Sequence, residues 1–315
     1  MRVSTARRLA VAALVLALGC TACASAGQAA STGRTSSTGK SFPVTVRAAN
    51  GAVRVTSRPA AIMSLSPTAT EMLYAIGAGS QVKTVDEFSD YPARAPRTKL
   101  DGYQPNIEAI VAYKPDLVLI SNNIDNLEQR LASLSIPVLD LPAPANLNGE
   151  YAEFDQLGQA TGHLAQARRE VASLRAQVAR IVAAAPHHSG PLTYYYELEQ
   201  DYYSLSSATF VGSLLSLLGM KSIADKAKGA AAAGGYPQLS AEYILKANPD
   251  YIILADTVCC HQDAATVAHR PGWASLAAVR DGHVIGLNDD IASRWGPRIV
   301  DLLRTVETAI AHGKH

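Results

Sequence analysis

Residues 151–185 read YAEFDQLGQATGHLAQARREVASLRAQVARIVAAA, and their reading divides the chain. Phe154, Leu157, Thr161, Leu164, Val171, Leu174, Val178 and Ile181 recur at threes and fours, which is one apolar stripe on a helix. Gln156, Gln159, Arg168, Arg169, Glu170, Arg175 and Arg180 fall on the opposite face. The spacing predicts one helix of about 33 residues, spanning roughly 50 Å at ~1.5 Å per residue. That exceeds the width of a small domain and is several times a mean helix length. Strand–helix alternation flanks it on both sides, so such a helix joins two lobes. A coiled coil is the alternative, but it needs sustained heptads, and one such stretch stands alone.

A chain of 315 residues suggests two domains, and 48% hydrophobic residues suffice for a real core. The net charge of +1 gives no bulk attraction to nucleic acid, so no such partner is expected. Thirteen Tyr against 4 Phe and 2 Trp mean that most aromatic surface carries a hydroxyl, which suits partly wet sites.

Arg2, Arg7 and Arg8 precede an apolar run over residues 9–18 that is too short to span a bilayer. Residues 1–20 therefore read as a signal peptide. Its end, Ala17-Leu18-Gly19-Cys20, resembles a bacterial lipobox, which implies lipid modification of Cys20; Cys23 is the second candidate, and plain secretion the third reading. Residues 21–57 comprise a Ser/Thr/Gly/Ala-rich flexible tether over 21–41 and a short N-terminal segment in which 44–55 predicts a hairpin around Asn50-Gly51. The expected location is extracytoplasmic, with a lipid anchor in the cell membrane.

Strands are expected at 61–65, 82–85, 116–120 and 137–141, with helices starting near Pro67, Pro105 and Leu127 between them. Ser66 caps the first of these helices, with Pro67 in its first position. The alternation resumes after the long helix, with strands at 192–197, 251–254 and 284–287 and helices at 210–218, 240–246 and 297–311. The fold class is thus α/β: an N-terminal lobe over 58–147, a bridging helix over 148–186, and a C-terminal lobe over 187–315. Each lobe has a central, mostly parallel sheet. Ligands of such sheets sit beyond the carboxyl ends of the strands.

Two segments echo one another. Glu108 precedes Pro115-Asp116 and a hydrophobic strand by seven residues, and Glu242 stands in the same relation to Pro249-Asp250. The lobes then read as related units, each with a carboxylate at a helix N-terminus. Either each Glu simply favours its helix dipole, or the two form matched acidic knobs that dock on a two-fold symmetric partner through arginines.

The run Ile62-Met63-Ser64-Leu65-Ser66-Pro67-Thr68-Ala69-Thr70-Glu71 resembles the opening of substrate-binding proteins of ATP-driven importers for cobalamin, haem and ferric siderophores. Phe88-Ser89-Asp90-Tyr91-Pro92, Asn106-Ile107-Glu108-Ala109-Ile110, Lys114-Pro115-Asp116-Leu117-Val118, Tyr236-Pro237-Gln238-Leu239-Ser240-Ala241-Glu242 and Ser293-Arg294-Trp295-Gly296-Pro297-Arg298 extend the match. The resemblance is strongest to cobalamin-binding members. It implies two lobes with little hinge motion, no catalysis, no cofactor of its own, a monomer, and an importer permease dimer as partner. It further implies that Phe88, Tyr103, Tyr203 and Tyr236 stack on a corrin, that Asp290 contacts its rim, and that Glu108 and Glu242 meet permease arginines. Haem or a ferric siderophore are the alternative ligands; an anionic siderophore would call on Arg294 and Arg298, unless these pair with Asp289, Asp290 or Asp301.

Other features carry less. Tyr194, Tyr195 and Tyr196 lie in one strand, so at least one points into the core. Cys259-Cys260-His261 reads as a vicinal disulfide or unreactive loop, as a ligand contact at the cleft edge, or as part of a metal or redox site. Gly77-Ala78-Gly79 follows a helix and so is no dinucleotide fingerprint; the sequence has no P-loop, no Gly-x-Ser-x-Gly elbow and no His-Glu-x-x-His. A secreted hydrolase is the remaining enzyme alternative.

Overall fold

Short β-branched and leucine-rich runs between capped helices fold into two parallel sheets in the computed structural model, which describes residues 42–313. The leader, most of the tether, and both Cys20 and Cys23 lie outside the described residues. Among those described, no helix is long and apolar enough to cross a membrane.

Strands β1 (Val44–Ala48) and β2 (Gly51–Val55) form the expected hairpin, with Gly51 taking φ 100° at its tip. The first lobe follows as β3 (Ile62–Ser64), α1 (Pro67–Ala75), β4 (Val82–Val85), α2 (Ile107–Ala112), β5 (Leu117–Ile120), α3 (Leu127–Ala132) and β6 (Val138–Asp140). The Ser66 hydroxyl accepts from the Ala69 N–H at 3.3 Å, and Pro67 opens the helix, as its sequence predicts. All pairings in the sheet are parallel, in the order β4-β3-β5-β6. Edge strand β6 is covered by the hairpin tip: Asn50 donates to Val138 O at 3.0 Å and accepts from Asp140 N at 3.2 Å.

The predicted single helix is instead two, α4 (Leu147–Thr161) and α5 (Leu164–Ala184). The chain turns at Gly162, whose φ of +76° ends α4 in the left-handed conformation. The two helices fold back on each other. The Arg175 guanidinium lies 4.2 Å over the Tyr151 ring, Asp155 faces Arg168 at 4.0 Å, and a Cβ on Gly158 would stand 2.7 Å from that of Ala167. These pairs straddle Gly162 almost evenly, as an antiparallel hairpin requires. The bridge between lobes is therefore a helical hairpin, and α5 alone spans roughly 30 Å.

The second lobe comprises β7 (Leu192–Glu197), α6 (Phe210–Leu217), β8 (Met220–Ser222), α7 (Ala241–Ala247), β9 (Tyr251–Leu254), α8 (Ala264–Ala268), α9 (Ala277–Arg280), β10 (Val284–Gly286), α10 (Asp289–Ser293) and α11 (Ile299–His312). Strand β8 has no counterpart in the sequence reading. The sheet order, β8-β7-β9-β10, repeats that of the first lobe, and again every pairing is parallel. The echoed Pro-Asp pairs do the same work twice. Asp116 accepts the backbone N–H of Ala60 at 2.7 Å and of Ala61 at 3.0 Å, fixing the entry to β3. Asp250 accepts from the Thr193 N–H at 2.7 Å and its hydroxyl at 2.6 Å, fixing the start of β7. Tyr194, Tyr195 and Tyr196 are all fully buried. One core joins the lobes: Leu73, Phe154, Leu157, Leu174, Val178, Leu214 and Val306 belong to a single apolar cluster.

Candidate ligand cleft and lobe junction

Parallel strands point their carboxyl ends the same way, and the loops leaving those ends bring the expected aromatics to the surface. Beyond β4, the buried Asp86 carboxylate accepts the Ser89 N–H at 3.0 Å and closes a turn. Burial pushes its carboxyl up to about 6, against the opposing pull of the Ser89 bonds and the Arg294 charge. This turn carries Phe88, which meets Tyr103 edge to face with ring centroids 5.7 Å apart. Gly102 brings Tyr103 there: a Cβ at that position would stand 2.6 Å from the Leu65 carbonyl and 2.9 Å from Asp86 Oδ2.

In the second lobe, Tyr203 lies between β7 and α6 and bridges to Gln238, while Ser204 N–H donates to the Pro237 carbonyl at 3.0 Å. This places Tyr203 beside the segment that begins at Tyr236. Burial raises the Tyr236 hydroxyl above its ordinary value, with a hydrogen bond to Thr209 opposing. All four aromatics remain about half exposed, from 40% at Tyr203 to 59% at Tyr103, although large apolar side chains normally hide. Two from each lobe thus stand at the carboxyl ends of the sheets.

Arg294 ties the lobes together. Its guanidinium donates to Glu71 Oε1 at 3.1 Å, Asp90 Oδ1 at 2.9 Å and the Phe88 carbonyl at 2.9 Å, all in the first lobe, and to Asp290 Oδ1 at 2.5 Å in the second. Arg298 adds a two-pronged pair to Glu71, at 2.9 and 2.5 Å, and covers the Tyr91 ring at 4.3 Å. The Glu71 side chain has no solvent exposure, and those of Arg294 and Arg298 retain 10% and 17%. Burial alone would raise the Asp90 carboxyl, but the Arg294 bond and charge hold it below its ordinary value. The Asp290 carboxyl is raised, by burial first and then by Asp90, with Arg294 opposing. Of the expected ligand contacts, Arg294 has its donors turned into the protein, whereas Asp290 keeps 32% of its side chain exposed.

Glu71 and Asp90 were read only as letters of motifs, and their partners are more than 200 residues away (the separations are 223 and 204). A local signal existed: Glu71 sits on an otherwise buried helix beside Met72 and Leu73. Glu150 and Glu153 also escaped notice. Both are buried in α4; Trp295 donates its indole N–H to Glu153 Oε2 at 2.9 Å. Burial pushes the Glu153 carboxyl up to about 8, the Trp295 bond opposing and Asp140 adding to the rise.

Glu108 and Glu242 are exposed in the first turns of α2 and α7, equivalent places in the repeated unit. The Glu242 carboxyl is held below its usual value by its own backbone N–H and the Ser240 hydroxyl. Cys259 and Cys260 are bonded to each other in the loop after β9, as the vicinal-disulfide reading expects, which leaves neither as a thiolate ligand. Surface concavities of about 530, 420 and 340 Å³ lie elsewhere and are lined by none of these residues.

The family model described as periplasmic binding protein matches residues 62–291. A "Cobalamin-binding protein" of Halobacterium salinarum is 31% identical over 311 residues, covering 96% of this chain and 83% of its own. An "Uncharacterized ABC transporter substrate-binding lipoprotein" of Bacillus subtilis is 30% identical, covering 82% and 83%. The crystal structure of a periplasmic vitamin B12 binding protein of Vibrio cholerae superposes with a TM-score of 0.62 at 26% identity, over 81% of this chain and 97% of that one.

Proposed function

The chain belongs to the periplasmic binding protein family, and from that premise we propose that it captures a corrinoid of the cobalamin type and delivers it to an ATP-driven importer. Such proteins are binding components of transport systems, not enzymes. The observation that carries the ligand choice is the employment of Arg294 and Arg298. Both guanidiniums are committed to Glu71, Asp90 and Asp290. Haem carries carboxylates and many ferric siderophores are anionic, so each would want an unpaired cation. A corrin presents an apolar face and a rim of amides. The exposed rings of Phe88, Tyr103, Tyr203 and Tyr236 suit the face, and Asp290 with the tyrosine hydroxyls suits the amide donors. The cleft is preformed, because the tie between lobes leaves little to order on binding. Cys20 anchors the chain and the tether lets one monomer reach its permease, on which Glu108 and Glu242 dock.

Calorimetric titration of the mature protein with cyanocobalamin, haemin and a ferric hydroxamate tests this reading. Submicromolar cyanocobalamin binding (tighter than about −8 kcal/mol) is expected, lost when Phe88→Ala is combined with Tyr236→Ala. Tight siderophore binding with none for cyanocobalamin would overturn the ligand. Combined Glu108→Lys and Glu242→Lys should abolish uptake while leaving affinity intact; surviving uptake would remove the docking role. Cys20→Ala should release the protein from membranes.

A further inference from the structure

The loop that follows β9 is held on both flanks. The Asp289 carboxylate accepts the Val258 N–H at 2.9 Å and the Cys259 N–H at 2.8 Å. Thr257 donates its hydroxyl to the Leu287 carbonyl at 2.6 Å. On the other flank the Cys260 carbonyl accepts from Gln262 at 3.0 Å and from Gln200 at 3.4 Å. Gln200 belongs to the β7–α6 loop that carries Tyr203, and Asp289 neighbours Asp290, which grips Arg294. The Cys259–Cys260 pair is therefore joined on one side to the loop that carries Tyr203 and on the other to the residue next to Asp290.

At Val258 and Cys259 this clamped loop shows apolar groups to solvent, with the exposed His261 just beyond them. Val258 is 57% exposed, and the disulfide beside it has replaced two thiols by a sulfur pair with no hydrogen to donate. Exposed apolar groups fixed in place, with their backbone polar groups satisfied underneath, form a contact surface for something apolar. Divalent sulfur is polarisable and packs well against conjugated rings.

We propose that Val258 and the Cys259–Cys260 disulfide form a rigid apolar rim of the ligand groove, which contacts the apolar face of a conjugated macrocycle, with Asp289 as its positioning residue. This deepens the corrinoid reading and rests on it. It also separates macrocycles from polar chelates, which gain nothing from a sulfur rim.

Two measurements test it. The first compares cyanocobalamin affinity in the wild-type protein, in Cys259→Ala with Cys260→Ala, and in Asp289→Ala. Removal of the sulfur pair should weaken binding about tenfold with an unchanged melting temperature. The second follows reduction of the disulfide by a trialkylphosphine, which takes the sulfurs to two thiols and leaves as its oxide, water supplying the oxygen and protons. Saturating cyanocobalamin should slow thiol release at least fivefold. Unchanged affinity together with an unprotected disulfide overturns the rim. If the wild-type protein binds no cyanocobalamin, the corrinoid reading falls by itself. The same two measurements with haemin as probe then decide the rim, which unprotected sulfur and equal affinity would again overturn.

Discussion

Strand β3 passes into α1 through Leu65 and Ser66 alone, whereas its counterpart β7 reaches α6 through residues 198–209. Both helices nonetheless start on a hydroxyl cap, Ser66 in one and Thr209 in the other, and both sheets admit their third strand through a Pro-Asp pair. The scaffold is repeated because short apolar strands, caps and carboxylate clamps fix it locally. The rims diverge because nothing in the sheet constrains them: the longer loop of the second lobe carries Tyr203 and braces the disulfide, and the first lobe has no equivalent. Buried acids differ in the same sense. Glu197, fully buried, takes its cation from its own lobe, where Arg270 binds it by two prongs at 2.5 and 2.6 Å. Glu71 takes both of its cations from the other lobe. One pair stiffens a lobe, and the other joins two.

The largest effect should come from breaking these pairs. Glu71→Ala and Glu197→Ala each strand buried guanidinium and should cost about 3–5 kcal/mol in urea unfolding. Only Glu71→Ala should also widen the distance distribution between spin labels placed at Glu108 and Glu242, one per lobe. Equal broadening in both variants would dissolve the distinction between the two pairs.

Glu153 sharpens the contrast, being a buried acid with no cation. Its folded-state value lies at about 8 against the ordinary 4.5, so the folded protein keeps this proton where the unfolded chain has lost it. Stability from this group is therefore greatest below about pH 4.5 and falls as pH rises towards 8. Glu153→Gln keeps an acceptor for Trp295, and should raise stability at pH 9 by on the order of 3 kcal/mol while changing little at pH 4. Melting curves at the two pH values check the sign; a variant less stable at pH 9 would contradict it.

The smallest effects bear on the repeat itself. Asp116→Ala and Asp250→Ala should each cost about 1–2 kcal/mol, as losses of hydrogen bonds to a charged acceptor at a strand entry. Denaturant titration of both should give values within about 0.5 kcal/mol of each other. A markedly larger loss at one site would show that the echo in sequence is not an echo in energy.

The repeat and most strands were legible because each rests on neighbours in the chain: Ser66 on Ala69, or Asn106 on Ala109 at 2.8 Å. The helical hairpin was not. Leu157 before the turn and Leu174 after it fall on one stripe, since both helices face the same core, so periodicity ran on past a glycine that reversed the chain. Arg175, on the face opposite the apolar stripe, is exposed and also covers the Tyr151 ring, a contact that needs the turn. The four aromatics came from the motifs of the resemblance, and the structure leaves them about half exposed. Pairing of Arg294 with Asp290, four residues away, was among the readings and is observed; its bonds to Glu71 and Asp90 were not, because they are made in space, by loops that meet only when both sheets have formed.

The fate of Arg294 also decides how the molecule would measure what it holds. A guanidinium with bonds to both lobes, above a carboxylate with no solvent exposure, cannot swing without stranding charge. The two walls would then act as a gauge with fixed jaws rather than as a trap that snaps shut. Loaded and empty forms would have nearly the same outline, and a membrane partner would have to sense the cargo itself, through the open side of the groove.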